Sequence, residues 1–99
     1  MASSRHVAFD FGAESGRTIL GSLDSGKLRI SEINRFRNGM AEVDGHLHWE
    51  VPRLFGEITS GLITASTGGI PDSLGVDTWG VDFALLDNDG KTLGLPFAY

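Results

Sequence analysis

The 99-residue chain contains no cysteine at all. Disulfides, a thiol nucleophile and thiolate metal sites are thereby excluded, and the composition suits a reducing compartment. Basic charge is scarce too: eight Lys and Arg stand against 13 Asp and Glu, for a net charge of -5. The eight are scattered, so no basic stripe exists to attract a nucleic-acid backbone. Long apolar runs are also missing. None approaches the length that crosses a bilayer, and the polar stretch from Met1 to His6 has no signal-peptide core behind it. The expectation is a cytoplasmic protein whose partners include neither a membrane nor a nucleic acid.

Glycine, by contrast, is plentiful at 14 of 99 residues, about twice the usual share. Such an excess calls for tight turns or for backbone that approaches a ligand closely. With 40% hydrophobic and 21% charged residues, the chain has the composition of a folded domain rather than a disordered one. Its length allows one domain or less, with a modest core.

His6 to Phe11 (HVAFDF) is a short apolar run with one embedded acid, which predicts a buried strand closed by the glycine loop Gly12 to Gly16. Arg17 to Leu23 predicts a second strand, and Asp24-Ser25-Gly26-Lys27 a hairpin turn. Leu28 to Phe36 alternates imperfectly and predicts a third, completing an antiparallel meander. Asn38 to Gly45 reads as loop, and His46 to Trp49 as a short edge strand. Val51, Leu54, Phe55, Ile58, Leu62 and Ile63 recur at helical spacing and predict a helix whose stripe is core. Pro52 marks its start, and Gly68-Gly69-Ile70-Pro71 its end. Ser73 to Trp79 and Val81 to Leu86 read as one interrupted strand or two, followed by a turn at Asp87 to Gly90. The layout is α/β: a mixed sheet in which a crossover helix joins the meander to a parallel strand.

Two constellations carry chemistry. In Asp10-Phe11-Gly12-Ala13-Glu14-Ser15-Gly16-Arg17, an acid ends a buried strand and a tight glycine loop follows. Gly12 and Gly16 allow amide N–H groups to face phosphate oxygens, with the Ser15 hydroxyl beside them. Asp10 suits Mg²⁺ held through waters, and Arg17 suits phosphate charge. A plain hairpin with a surface arginine fits the spacing as well. No GK[ST] follows, so this is not a Walker loop. Nor is it the dinucleotide fingerprint, because a strand follows Gly16. In Gly75 to Phe83 (GVDTWGVDF), two acids, a hydroxyl and a Trp surround a glycine, as in a sugar pocket. A strand with a glycine bulge and Trp79 in the core fits equally. His46, His48 and Glu50 share one parity but lack a fourth ligand, and read as a solvated edge.

The segments Asp10 to Arg17 and Gly75 to Asp87, with FRNG at Phe36 to Gly39, the pair His48-Trp49 and the closing GLPFAY, strongly resemble the FGGY carbohydrate kinase family over almost the whole chain. The resemblance implies an actin-like ATPase, ribonuclease-H-like fold of two domains with ATP between them. It implies Mg²⁺-dependent transfer of the ATP γ-phosphate to the 1-hydroxyl of L-rhamnulose, a step of L-rhamnose breakdown. It assigns Ala13, Glu14, Ser15, Gly16 and Arg17 to the ATP phosphates, Asp10 to Mg²⁺ through water, and Gly80, Thr78, Trp79 and Asp82 to the sugar. Members of the family are several times longer, so the chain is expected to be a truncated amino-terminal domain. The general-base Asp and the adenine site then lie beyond Tyr99, and the piece alone is inactive. A fuculose or xylulose kinase is the alternative within the family. A non-sugar actin-like ATPase leaves Thr78 to Asp82 unexplained, and a plain binding domain ending at Tyr99 would show itself by cooperative unfolding of the isolated chain.

Overall fold

The computed structural model describes residues 3–78 and 80–98. Strands β1 (Ser3–Phe11), β2 (Ser15–Asp24) and β3 (Lys27–Arg37) form the meander, and β4 (Met40–Val43) pairs with β5 (His46–Trp49) in a separate hairpin. Helix α1 (Val51–Ala65) runs into a 3-10 turn (Ser66–Gly68) and leads to β6 (Ser73–Asp77). The four-stranded sheet has the order β3-β2-β1-β6, with β6 parallel to β1. The meander, the crossover helix and the parallel strand follow the expectation from sequence.

Strand β1 is central because its sequence suits both neighbours. Val7, Phe9 and Phe11 alternate onto one face and are buried there, while Ala8 is exposed on the other. Helix α1 covers the buried face: Ala65 joins that core, and Leu54, Ile58 and Leu62 pack against it half-buried. The helix approaches β2 very closely at Gly61, where a Cβ would stand 2.3 Å from Thr18 Oγ1. Thr18 is fully buried. Glycine at 61 is thus a packing requirement.

Arg5 fixes the crossover. Its Nη2 donates to the Ala65 carbonyl (2.8 Å) and its amide donates to Asp72 Oδ2 (2.9 Å). The cation supplies at the helix C-terminus the positive charge that α1 itself lacks in its last turn. One side chain and its amide tie the helix end and the entry to β6 back onto β1. On the far edge, Arg35 holds Glu32 bidentately (2.5 and 3.0 Å), which lowers the exposed carboxyl's pKa and keeps edge strand β3 charged.

Several expectations are corrected. Met40–Val43 is a strand rather than loop, because Asp44 (φ 50°) and Gly45 (φ 78°) make a two-residue turn that folds it onto β5. The same turn chemistry at Ser25 (φ 52°) and Gly26 (φ 77°) joins β2 to β3. Strand β2 begins at Ser15, which shortens the glycine loop to residues 12–14. Beyond Asp77, the described part of the second expected strand forms only isolated bridges, Phe83 with Phe97 and Leu86 with Thr92. The helical stripe is not all core: Phe55 and Ile63 are each 66% exposed. Contact through Gly61 and Ala65 rotates the helix so that these two face outward.

Gly61→Ala is expected to destabilise the protein by about 1–3 kcal/mol in urea unfolding, the cost of overpacking, despite the better helix propensity of Ala. Combined with Thr18→Ala, the loss should be less than the sum of the two single losses. A stabilised Gly61→Ala variant would contradict the close approach.

Candidate functional site

The site begins with register. Asp10 is the penultimate residue of β1; it pairs with Arg17 across the antiparallel ladder and with Asp77 across the parallel one. Paired positions share a face, so the sheet sets out a row of Arg17, Asp10 and Asp77. It lies at the carboxyl ends of the parallel strands, where open α/β sheets place their ligands. Alternation along β1 sends the neighbouring Phe11 to the helix side. One step of sequence separates the polar from the apolar surroundings.

Arg17 is already engaged in this row. Its Nη1 lies 3.0 Å from Asp10 Oδ2, and its Nη2 donates to Ser15 Oγ at 3.1 Å. Both side chains remain partly exposed, so the pair contributes about 1 kcal/mol or less to stability. Its effect is orientation: the guanidinium holds the Asp10 carboxylate beside the loop.

The loop Gly12 to Glu14 is held from behind. The Gly12 amide donates to the Ser15 carbonyl (2.9 Å), and a Cβ on Gly12 would stand 2.9 Å from that same oxygen. Asn38, 5% exposed, donates through Nδ2 to the Gly12 carbonyl (2.7 Å) and through its amide to the Glu14 carbonyl (2.9 Å). Its Oδ1 accepts from the Gly39 amide at 3.0 Å. The carbonyls of Gly12 and Glu14 are therefore satisfied, whereas the amides of Ala13 and Glu14 have no partner among the described residues. Two N–H donors without a partner among the described residues thus stand on a fixed bend next to a carboxylate.

Gly16 has a different reason to be glycine. A Cβ there would lie 2.1 Å from Phe36 Cζ, and Phe36 in turn packs edge-on against Phe11 at 5.8 Å. It serves ring packing behind the loop, in place of the expected turn. Gly80 is the opposite case, since a Cβ on it would meet nothing within 4 Å.

Asp10 and Gly12 share one cleft of about 250 Å³ with Asp77, Thr78 and Gly80. A second cleft of about 270 Å³ lies on the helix side and carries Thr78 and Asp82 among apolar side chains. The structure thus brings Asp10, Gly12, Thr78 and Gly80 together and sets Asp82 in the neighbouring cleft. Ser15, Gly16 and Arg17 follow the bend of Ala13 and Glu14 at the start of β2, with Arg17 bonded to Asp10 and Ser15. Trp79 lies outside the described residues. His46 and His48 go elsewhere: both rings pack on Phe97, and His48 Nδ1 stands 3.0 Å from the Leu95 carbonyl oxygen. Among the described residues, no group of three His, Asp or Glu gathers that could hold a metal by itself, and no helix is long and apolar enough to cross a membrane.

Sequence reasoning counted Asp77 among the acids of the second constellation but did not set it beside Asp10, and it gave Asn38 no place in the site. Asp77 stood inside the second motif and Asn38 inside FRNG. Their roles come from the parallel register and from a bond spanning 26 positions, neither of which a local motif expresses.

No protein-family model matches the chain. Curated proteins do match it. It is 52% identical over 93 residues to the rhamnulokinase of Bacteroides thetaiotaomicron, covering 93% of this chain and 19% of that protein. Against the rhamnulokinase of Klebsiella pneumoniae (strain 342) it is 50% identical over 101 residues, 98% of this chain and 21% of the relative. The rhamnulokinase of Bacillus subtilis matches at 43% over 95 residues, 95% of this chain and 20% of the relative. The chain is rhamnulokinase-like over nearly all its length. It spans about a fifth of the length of the curated relatives it matches.

In this rhamnulokinase-like segment, Asn38→Ala is expected to cost about 1–3 kcal/mol, because the part-buried Gly12 carbonyl loses its donor. Amide hydrogen exchange at Gly12 to Ser15 should accelerate in the same variant. Unchanged stability with unchanged exchange would show that Asn38 does not hold the bend.

Proposed function

We propose that this chain forms part of a cytoplasmic FGGY-type sugar kinase that transfers the γ-phosphate of ATP to the 1-hydroxyl of L-rhamnulose, a reaction of L-rhamnose breakdown, on an actin-like fold. The observation that carries the reading is the shared cleft: Asp10 and Gly12 face the same space as Thr78 and Gly80. The names of the relatives support the sugar, and the unpartnered amides of Ala13 and Glu14 support a phosphate neighbour.

Each group then has one task. Ala13 and Glu14 amides, with the Ser15 hydroxyl, hold phosphate oxygens of ATP. Asp10, with Asp77 next to it in register, would hold Mg²⁺, a fit for an ion that takes few carboxylates. When bound, that ion neutralises charge on the phosphates. Arg17 keeps the Asp10 carboxylate in place and adds positive charge at the same end. Gly80 lets the sugar reach the main chain, while Thr78, Trp79 and Asp82 orient it. The proton of the sugar hydroxyl goes to an Asp outside this chain. Because phosphoryl transfer needs base, metal and both phosphate grips together, this segment by itself is inactive.

In the longer protein, Asp10→Asn should lower kcat by about 10–100-fold, the usual loss when a group orienting a metal's shell is removed, with little change in the KM for sugar. Steady-state kinetics check this, and an unchanged kcat would remove Asp10 from the site. Gly80→Val should raise the KM for the ketose and leave that for ATP intact. Comparison of kcat/KM across L-rhamnulose, fuculose and xylulose separates the sugar kinases. If no ketose or deoxyketose stimulates ATP consumption, the proposal fails.

A further inference from the structure

The brace of the Gly12 bend carries a chemistry that the proposed reaction does not use. The chain has three asparagines, Asn34, Asn38 and Asn88, and glycine follows Asn38. An asparagine side chain is open to attack at Cγ by the main-chain nitrogen of the next residue, and a glycine there leaves that nitrogen unshielded. The fold decides which of the three is set up for it. The Gly39 amide lies 3.0 Å from Asn38 Oδ1, bonded to the carboxamide it would attack, and a Cβ on Gly39 would meet nothing within 4 Å. At Asn88 the next amide, that of Asp89, donates instead to Asp87 Oδ1 (2.8 Å). Asn34 and Arg35 stand inside the β2–β3 ladder, paired with Thr18 and Arg17, which keeps their backbone extended.

We propose that Asn38-Gly39 is a site of spontaneous deamidation, with water as the co-reactant, and that the modification releases the Gly12 bend. The Gly39 nitrogen gives up its proton and bonds to Asn38 Cγ. The Cγ–Nδ2 bond breaks, and Nδ2 takes up a proton and leaves as ammonia. Water then opens the cyclic imide at either carbonyl, leaving Asp or its β-linked isomer. Gly39 is exposed, so water reaches the imide from its outer side, while the burial of Asn38 keeps the step slow. Both products lose the Nδ2 donor that holds the Gly12 carbonyl at 2.7 Å. A carboxylate only accepts, so at a position 5% exposed an oxygen would face the Gly12 carbonyl oxygen. The β-linked product also lengthens the main chain, which moves the residue 38 amide off the Glu14 carbonyl.

The test is incubation of the longer protein, without nucleotide or sugar, in mildly alkaline buffer, which favours loss of the Gly39 amide proton. Peptide mapping by mass spectrometry reads conversion at each asparagine, and hydrogen exchange reads the bend. Asn38 should convert ahead of Asn34 and Asn88, and Gly39→Ala should slow it several-fold. Exchange at Gly12 to Ser15 should rise about tenfold in the converted protein, the equivalent of one internal hydrogen bond left unmade. Asn38→Asp should show the same faster exchange; where that variant fails to fold, the aged wild-type protein carries the comparison. Conversion of Asn34 or Asn88 before Asn38, an equal rate in Gly39→Ala, or unchanged exchange around Gly12 in converted protein each overturns the proposal. None of these readouts involves a nucleotide, so the sugar-kinase reading stands or falls separately.

Discussion

The pairing of β1 on both sides at once determines what the rest of the molecule can do. The antiparallel ladder to β2 puts Arg17 next to Asp10, and the parallel ladder to β6 puts Asp77 on the other side. A parallel partner requires a crossover connection, which is why α1 exists and why it lies over Val7, Phe9 and Phe11. The same parity that buries those residues turns Asp10 to the opposite face. Core and candidate site are alternate residues of one strand.

Support for the bend after β1 comes from distant chain. Asn38, just past the meander, holds two of its carbonyls, and Phe36 fills the space behind Gly16. The amides of Ala13 and Glu14 are left without a partner among the described residues. Arg5 performs the matching task for the crossover by bonding the end of α1 and the approach to β6.

Much of this was legible because the signals were local. Asp-Ser-Gly-Lys at residues 24–27 and Pro52 in the first helical turn each specify backbone conformation within four residues. The Asp-Gly pair at 44–45 is as strong a signal, but glycines at 39 and 45 made the whole stretch resemble a loop. Which residues of the helical stripe reach the core was not legible: Phe55 and Ile63 have the right period, yet the closest approach occurs at Gly61, a residue with no hydrophobic side chain to announce it. Gly16 shows the same limit in reverse. Its place in a glycine-rich motif suggested a turn, whereas the ring of Phe36, twenty positions away, is what excludes a side chain.

The central claim is that phosphate and sugar meet at the carboxyl end of β1. A crystal of the longer protein soaked with a non-hydrolysable ATP analogue, Mg²⁺ and L-rhamnulose tests it most directly. Phosphate oxygens on the Ala13 and Glu14 amides, the metal's water shell on Asp10 and the ketose against Gly80 are the predicted result. Nucleotide and sugar bound away from both the Gly12 bend and the Thr78–Asp82 stretch would contradict it.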